Sequence, residues 1–236
     1  MCDSQRSEIS EYFSSGQIVL PHKCSRFLVA WISLVDDVRM SIRSGKDSMT
    51  PTAPGVKLTY DDYLLFPDDG KRHELIDGEH FVTPAQNLLH QLILGNLHYM
   101  IRHHLETHPV GRVFMAPLDV VFSKFDVVEP DLLYVSKERE RHLEEKWVSG
   151  APDLVVEIAS PSTRKRDATI KRRLYERWGV SEYWIVDPKL NAIRIYRCNA
   201  SVFERPLELS LEGDDALTTP LLPGLKIPLE RVFDQT

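Results

Sequence analysis

The stretch "GAPDLVVEIASPSTRKRD", Gly150 to Asp167, decides the fold. Leu154, Val155, Val156 and Ile158 make a short β-branched run bounded by turn residues, which predicts a buried strand. Glu157 interrupts that run. A lone buried carboxylate costs several kcal/mol unless something pairs or coordinates it. Residues two apart on a strand share a face. Asp153, Val155 and Glu157 are therefore expected on one side, and Leu154, Val156 and Ile158 on the other. The run that follows, "STRKRDATIKRRLYERWG", reads as a helix, and "EYWIVDP" and "AIRIYR" read as two more strands.

Upstream, "VVEPDLLYVS" sets Asp131 at the head of an apolar run, directly after Pro130. "KRHELIDGEHFVTP" reads as two short strands joined at Asp77-Gly78, a hairpin turn signal, with Glu74 inside the first strand. "LTYDDYLLFP" predicts a short helix with Thr59 as N-cap, acids in its first turn and a stop at Pro67. "AQNLLHQLILGNLHYMIRHHLE" is amphipathic at helical spacing, with Leu88, Leu92, Gly95 and Tyr99 among its repeats. Strands are expected near Val113 to Phe122 and Val127 to Val135, then a charged helix over "KERERHLEEK". From Phe203 onward the tail predicts further short strands ending in the turn "LPGLKIP". Strands and helices that alternate and mix in this way indicate an α/β (α+β) domain around a mixed sheet. The domain has no internal repeat and no low-complexity tract.

A chain of 236 residues with 42% hydrophobic content can bury a full core and suits one domain plus extensions. Its formal charge of −6 excludes coating nucleic acid through bulk charge alone. That balance leaves room for a local basic surface, or for carboxylates neutralised by a metal. Cys2, Cys24 and Cys198 lie far apart and match no metal-ligand or redox spacing, so free thiols in a reducing, cytoplasmic compartment are expected. No apolar stretch approaches the ~20 residues that span a bilayer.

Residues 1–48 differ in character from the rest. "FLVAWISLV", Phe27 to Val35, is followed by Asp36 and Asp37 without a small-residue cleavage site, which argues against a secretory signal. "SIRSGKDSMTPTAPG", Ser41 to Gly55, reads as a linker. Domain patterning begins just after Met49. The expectation is therefore a domain over residues 49–236 and a dispensable extension over 1–48, with translation able to start at Met49. The rival is a short helix around Phe27 to Met40 that packs on the domain or on a partner.

Three acids embedded in apolar segments, Glu74, Asp131 and Glu157, fit the ligands of a hard divalent cation, which takes oxygen donors and offsets their mutual repulsion. In "RDATIKRRLYERWG", Asp167, Lys171, Leu174 and Trp178 fall on one helical stripe. Leu174 and Trp178 are expected to face the sheet, which turns Lys171 inward and leaves Arg172, Arg173 and Arg177 solvated. A lysine beside carboxylates and a metal can hold a water or stabilise negative charge developing on a phosphate.

These residues carry a resemblance. Pro130-Asp131 followed by Glu157 resembles the PD-(D/E)xK nuclease superfamily. The wider pattern "RHELIDGE … EPDLLYVS … APDLVVEIASPST … RDATIKRRLYERWGVSEYWIVDP" looks more narrowly like the Uma family of restriction-endonuclease-like bacterial proteins. The resemblance covers roughly Leu58 to Arg197. It implies a restriction-endonuclease-like mixed sheet flanked by helices, with a metal site at one sheet edge. Asp131 would be the central metal-binding residue, Glu157 the second acid and Glu74 the acid before the core strands. Ala159 stands where the superfamily pattern has lysine, and Lys171 on the following helix would take over that role. The reaction implied is hydrolysis of DNA phosphodiesters with Mg²⁺ (or Mn²⁺). Arg164 and Arg166, with Arg172, would track the phosphate backbone. Nucleases of this type often act as homodimers.

Structural readings stand beside each of these. Glu157 could pair with an arginine of the helix, and Asp131 could cap a turn after proline. Glu74 could partner Arg72, and Lys171 could snorkel from the core edge. Asp153 fits a turn or cap after Pro152 and stays outside the catalytic set. His90 reads as a satisfied helix histidine, His103, His104 and His108 as solvent-facing, and Tyr183 and Trp184 as core. Besides a Mg²⁺-dependent endonuclease, the sequence admits an inactive nuclease-fold protein that binds nucleic acid or protein. It also admits a different metal-dependent phosphoesterase.

Overall fold

The computed structural model of the chain describes residues 55–235, so the expected extension over 1–48 and the Met49 start lie outside the described residues. The first helix, α1 (Tyr60–Tyr63), carries a full capping box between Thr59 and Asp62. Next come β1 (Arg72–Ile76) and β2 (Glu79–Thr83), paired across Asp77 and Gly78, both of which adopt the positive φ that this tight turn demands. The long helix α2 (Leu88–Thr107) leads to β3 (Gly111–Met115), β4 (Asp119–Ser123), β5 (Asp126–Val128) and β6 (Leu132–Ser136). After β7 (Trp147–Ser149) and β8 (Leu154–Ile158) the chain turns helical in three consecutive pieces. These are α3 (Arg164–Arg166), a π-helical turn (Asp167–Lys171) and α4 (Arg172–Trp178), closed by Gly179 in the left-handed conformation. The remaining elements are β9 (Glu182–Asp187), β10 (Ala192–Asn199), β11 (Val202–Phe203), β12 (Leu207–Ser210), β13 (Ala216–Leu217), β14 (Ile227–Pro228) and α5 (Leu229–Val232).

The strands form two large mixed sheets. One runs β2-β1-β5-β4-β7; the other runs β11-β10-β9-β8-β6-β3, with β12 also paired to β10. Only β4–β7 and β8–β9 are parallel among these pairs. A parallel pair needs a crossover connection, and the helical stretch from Arg164 to Trp178 supplies it between β8 and β9. The strand alternation expected for β8 holds. Leu154, Val156 and Ile158 join the core shared with Ile93, Leu97 and Ile101 of α2, whereas Val155 joins the core shared with Leu174 and Tyr175 of α4. Tyr183 and Trp184 are fully buried, as expected.

Three local expectations are corrected. The buried face of α2 is His90, Ile93, Leu94, Leu97, Ile101 and Leu105, while the repeat Leu88, Leu92, Gly95 and Tyr99 is exposed. This helix is apolar on more than one face, so periodicity alone does not select the face that packs. The charged helix over "KERERHLEEK" is a short 3₁₀ segment, Lys137–His142, because its residues have no apolar stripe to bury. The two strands read from Val113 to Val135 are four, broken at Pro117, at the turn around Lys124 and at Pro130. Among the described residues, no helix is long and apolar enough to cross a membrane.

Candidate active site

Asp131 precedes β6, and the antiparallel β6–β8 register, with Leu132 opposite Val156, carries it beside the end of β8. Its Oδ2 accepts from the Ile158 backbone N–H at 2.7 Å and lies 3.1 Å from His90 Nε2, while Oδ1 accepts from Arg72 Nη1 at 2.7 Å. Burial pushes this carboxyl up, but the His90 hydrogen bond, the Arg72 charge and the Ile158 N–H outweigh it and hold its pKa at about 2. Asp131 is thus a paired carboxylate rather than the turn cap that stood as its structural alternative.

Glu157 accepts at Oε1 from both Lys171 Nζ, at 2.8 Å, and Tyr175 Oη, at 2.7 Å. Burial raises its pKa to about 8, with the Lys171 charge pulling down and those of Asp131, Asp167 and Glu74 pushing up. Lys171 reaches Glu74 Oε1 as well, at 2.7 Å, so one ammonium bridges carboxylates from both sheets. Its own pKa is raised, because Glu157, Glu74 and Asp167 override the burial that would lower it. Lys171 is 1% exposed. A fully buried lysine survives only with such pairing.

Glu74 also accepts from the Glu129 N–H at 3.2 Å, and its Oε2 stands 3.5 Å from Arg166 Nη2 without a hydrogen bond. Burial opposes its ionisation, yet Lys171 and Arg166 keep the pKa low. Its partner is therefore Lys171 rather than Arg72, which belongs to Asp131. Asp153 accepts from the Ser136 N–H and pairs with Arg139, a structural role across strands rather than the local turn or cap expected after Pro152.

A pocket of about 460 Å³ opens over this cluster, and its wall includes Arg72, His90, Asp131, Glu157, Asp167 and Lys171. Glu74 is fully buried and reaches that wall through Lys171 and Arg166. Arg164 and Arg166 also line the pocket. Arg164 is held by Asp187 at 2.6–2.7 Å; Arg166 donates to Thr83 Oγ1 at 2.5 Å and lies over the Phe81 ring. Arg172 is not on the wall and stands over Tyr196.

Tyr175 was not singled out by the sequence reading, whereas Arg72, His90 and Asp167 were named there without a place in the catalytic set. Tyr175 follows Lys171 by one helical turn, a spacing visible in the sequence. Arg72 and His90 carry no such signal, since their partner is set by tertiary packing. Asp167 is 1% exposed, burial raises its pKa, and its Oδ1 has no hydrogen-bond partner. It opens the π-helical turn, a distortion found mostly at functional sites.

The donor chemistry fits a hard divalent cation. Asp131 and Glu157 offer carboxylate oxygens to the pocket, with neither thiolate nor a histidine pair competing. Among the described residues, no group of three or more His, Cys, Asp or Glu side chains is placed to hold a metal ion. Arg72, His90 and Lys171 take the carboxylate oxygens instead.

Residues 60–230 match the Uma2 family, described as "Putative restriction endonuclease". The chain belongs to the Uma2 family. The fold agrees with a solved structure from Anabaena variabilis ATCC 29413, titled a "putative nuclease belonging to DUF820", at 21% identity with a TM-score of 0.64. That match covers 75% of this chain and 97% of the other. No curated protein matches the chain. Membership of Uma2 and the sheets flanked by helices make this a restriction-endonuclease-like chain.

Proposed function

We propose that the chain is a divalent-metal-dependent endonuclease hydrolysing phosphodiester bonds of DNA. The observation that carries this reading is the meeting of Asp131, Glu157 and Lys171 on one pocket wall, drawn from three separate segments. Asp131 and Glu157 would hold Mg²⁺ or Mn²⁺, with Glu74 as the acid behind them. When bound there, such an ion would supply Lewis-acid polarisation of the phosphate and a water of lowered pKa. Arg72 and His90 fix the orientation of Asp131. Tyr175 fixes that of Glu157. Lys171 is held protonated, so it serves as a fixed positive charge and hydrogen-bond donor toward a phosphoryl oxygen, not as a proton acceptor. Arg164 and Arg166 on the same wall would bind the backbone phosphates on either side, with Arg172 further along the helix. The free thiol of Cys198 fits the cytoplasm.

One observation favours a second reading, a nuclease fold that binds without cutting. Both oxygens of Asp131 are already taken by Arg72, His90 and the Ile158 N–H. The full chain, wild type beside Asp131→Asn, would be incubated with plasmid, linear and single-stranded DNA and with RNA, in Mg²⁺, Mn²⁺ or EDTA. Metal-dependent cleavage of DNA that the substitution removes is the expected result. Binding without cleavage in any metal would give the pocket to the second reading. Hydrolysis confined to small phosphate esters would make it a different phosphoesterase.

A further inference from the structure

One exposed stripe of α2, over its first three turns, is apolar where a solvated helix face usually carries charge. Leu88 is 84% exposed, Leu92 41% and Tyr99 62%, and Gly95 lies exposed between them. Their spacing of four, three and four puts all four residues on one stripe. From Leu88 to Ile101 the helix contains no Asp, Glu, Lys or Arg.

Among the described residues, nothing requires Gly95 to be glycine. Its φ is not in the left-handed region, and a Cβ built there meets no described atom within 4 Å. Glycine is the poorest helix residue after proline, and a mid-helix glycine usually answers a packing need. A partner helix pressed against the stripe would supply that need, because glycine lets two backbones approach.

We infer that this stripe is the interface between two copies of the chain, packed as antiparallel α2 helices. Three features select a second copy. A two-fold contact sets the same surface against itself, so a face of one charge would repel itself, whereas this one is neutral. With the axis between Ile93 and Leu94, each Leu92 falls over the partner's Gly95, a knob above a notch. The same axis sets each Leu88 against the partner's Tyr99. The stripe is thus complementary to itself in both size and polarity. One helix pair is smaller than the roughly 800 Å² per partner of a standard interface, so a dimer of micromolar strength is expected. Leu89 and His90, on the same first turns of α2, line the pocket, so pocket and interface share an element.

Sedimentation velocity on the full chain, from about 1 to 300 µM, tests the proposal without any reference to nuclease activity. The wild type should show a monomer–dimer equilibrium in that range. Gly95→Leu fills the notch and Leu92→Glu charges the knob; each should weaken the dimer at least about tenfold. Both variants should keep the wild-type circular dichroism, since residues 92 and 95 are exposed in the protomer. The double variant L92G/G95L exchanges knob and notch and should recover the dimer. A wild type that stays monomeric throughout overturns the proposal and leaves the stripe to another occupant, the chain's own residues 1–54 included. A dimer unchanged by both single substitutions, or a folded double variant that stays monomeric, overturns it equally.

Discussion

Lys171, almost fully buried at the pocket wall, touches Glu74 and Glu157 at 2.7 and 2.8 Å, so its removal leaves two carboxylates without their shared cation. Breaking a buried pair from one side costs about 3–5 kcal/mol. Lys171→Met, which keeps the volume, should therefore lower the thermal midpoint by roughly 2–4 °C per kcal/mol lost. Adding Glu74→Gln should cost less than the two single losses together, because the two residues share the contact. Asp131 sets a pH dependence. Its folded pKa, about 2, lies below the ordinary value of about 3.9. A depressed carboxyl stabilises above its unfolded pKa, and that stability is lost as pH falls through the folded value. Denaturant unfolding should therefore show stability dropping between about pH 4 and 2, and less steeply in Asp131→Asn. Asp131, Glu157 and Lys171 were legible in the sequence because polar residues inside apolar runs or on apolar stripes stand out. Arg72 and His90 were not, since nothing local distinguishes a charged strand end or a helix histidine that finds a carboxylate from a distant strand.

At the scale of elements, α2 positions the site from its first turn. Asn87 is its N-cap, accepting from the His90 N–H at 2.9 Å, and so fixes the backbone of the histidine that meets Asp131. Asn87→Ala should cost about 1 kcal/mol, while Asn87→Asp or Ser should recover most of it, as thermal melts would show. The crossover helix makes a comparable contribution through Tyr175. Tyr175→Phe removes one hydrogen bond to Glu157 without a cavity, at about 1 kcal/mol, and should reduce cleavage more than its small stability loss would explain. Most elements were legible here: the hairpin at Asp77-Gly78, the cap at Thr59, and β8 with its alternation. The packed face of α2 was not, because apolar residues surround much of the helix and only the tertiary fold decides which stripe is covered. The π-helical turn at Asp167–Lys171 was equally hidden, since no residue pattern encodes a single widened turn.

For the whole molecule, the α/β character and the alternation of strands and helices followed from hydrophobic periodicity. The division into two sheets did not. It depends on pairings such as the parallel β4–β7 contact, between strands far apart in the chain, which periodicity leaves open. That division builds the site, because Glu74 comes from one sheet, Glu157 from the other, and Lys171 joins them from the crossover. We propose this junction as a divalent-cation site. Calorimetric titration of Mn²⁺ into the full chain, beside Asp131→Asn and Glu157→Gln, tests it without needing a substrate. Saturable binding in the wild type, weakened about tenfold or more in both variants, is the predicted result. Binding of equal strength in all three proteins, or none in the wild type, would contradict it.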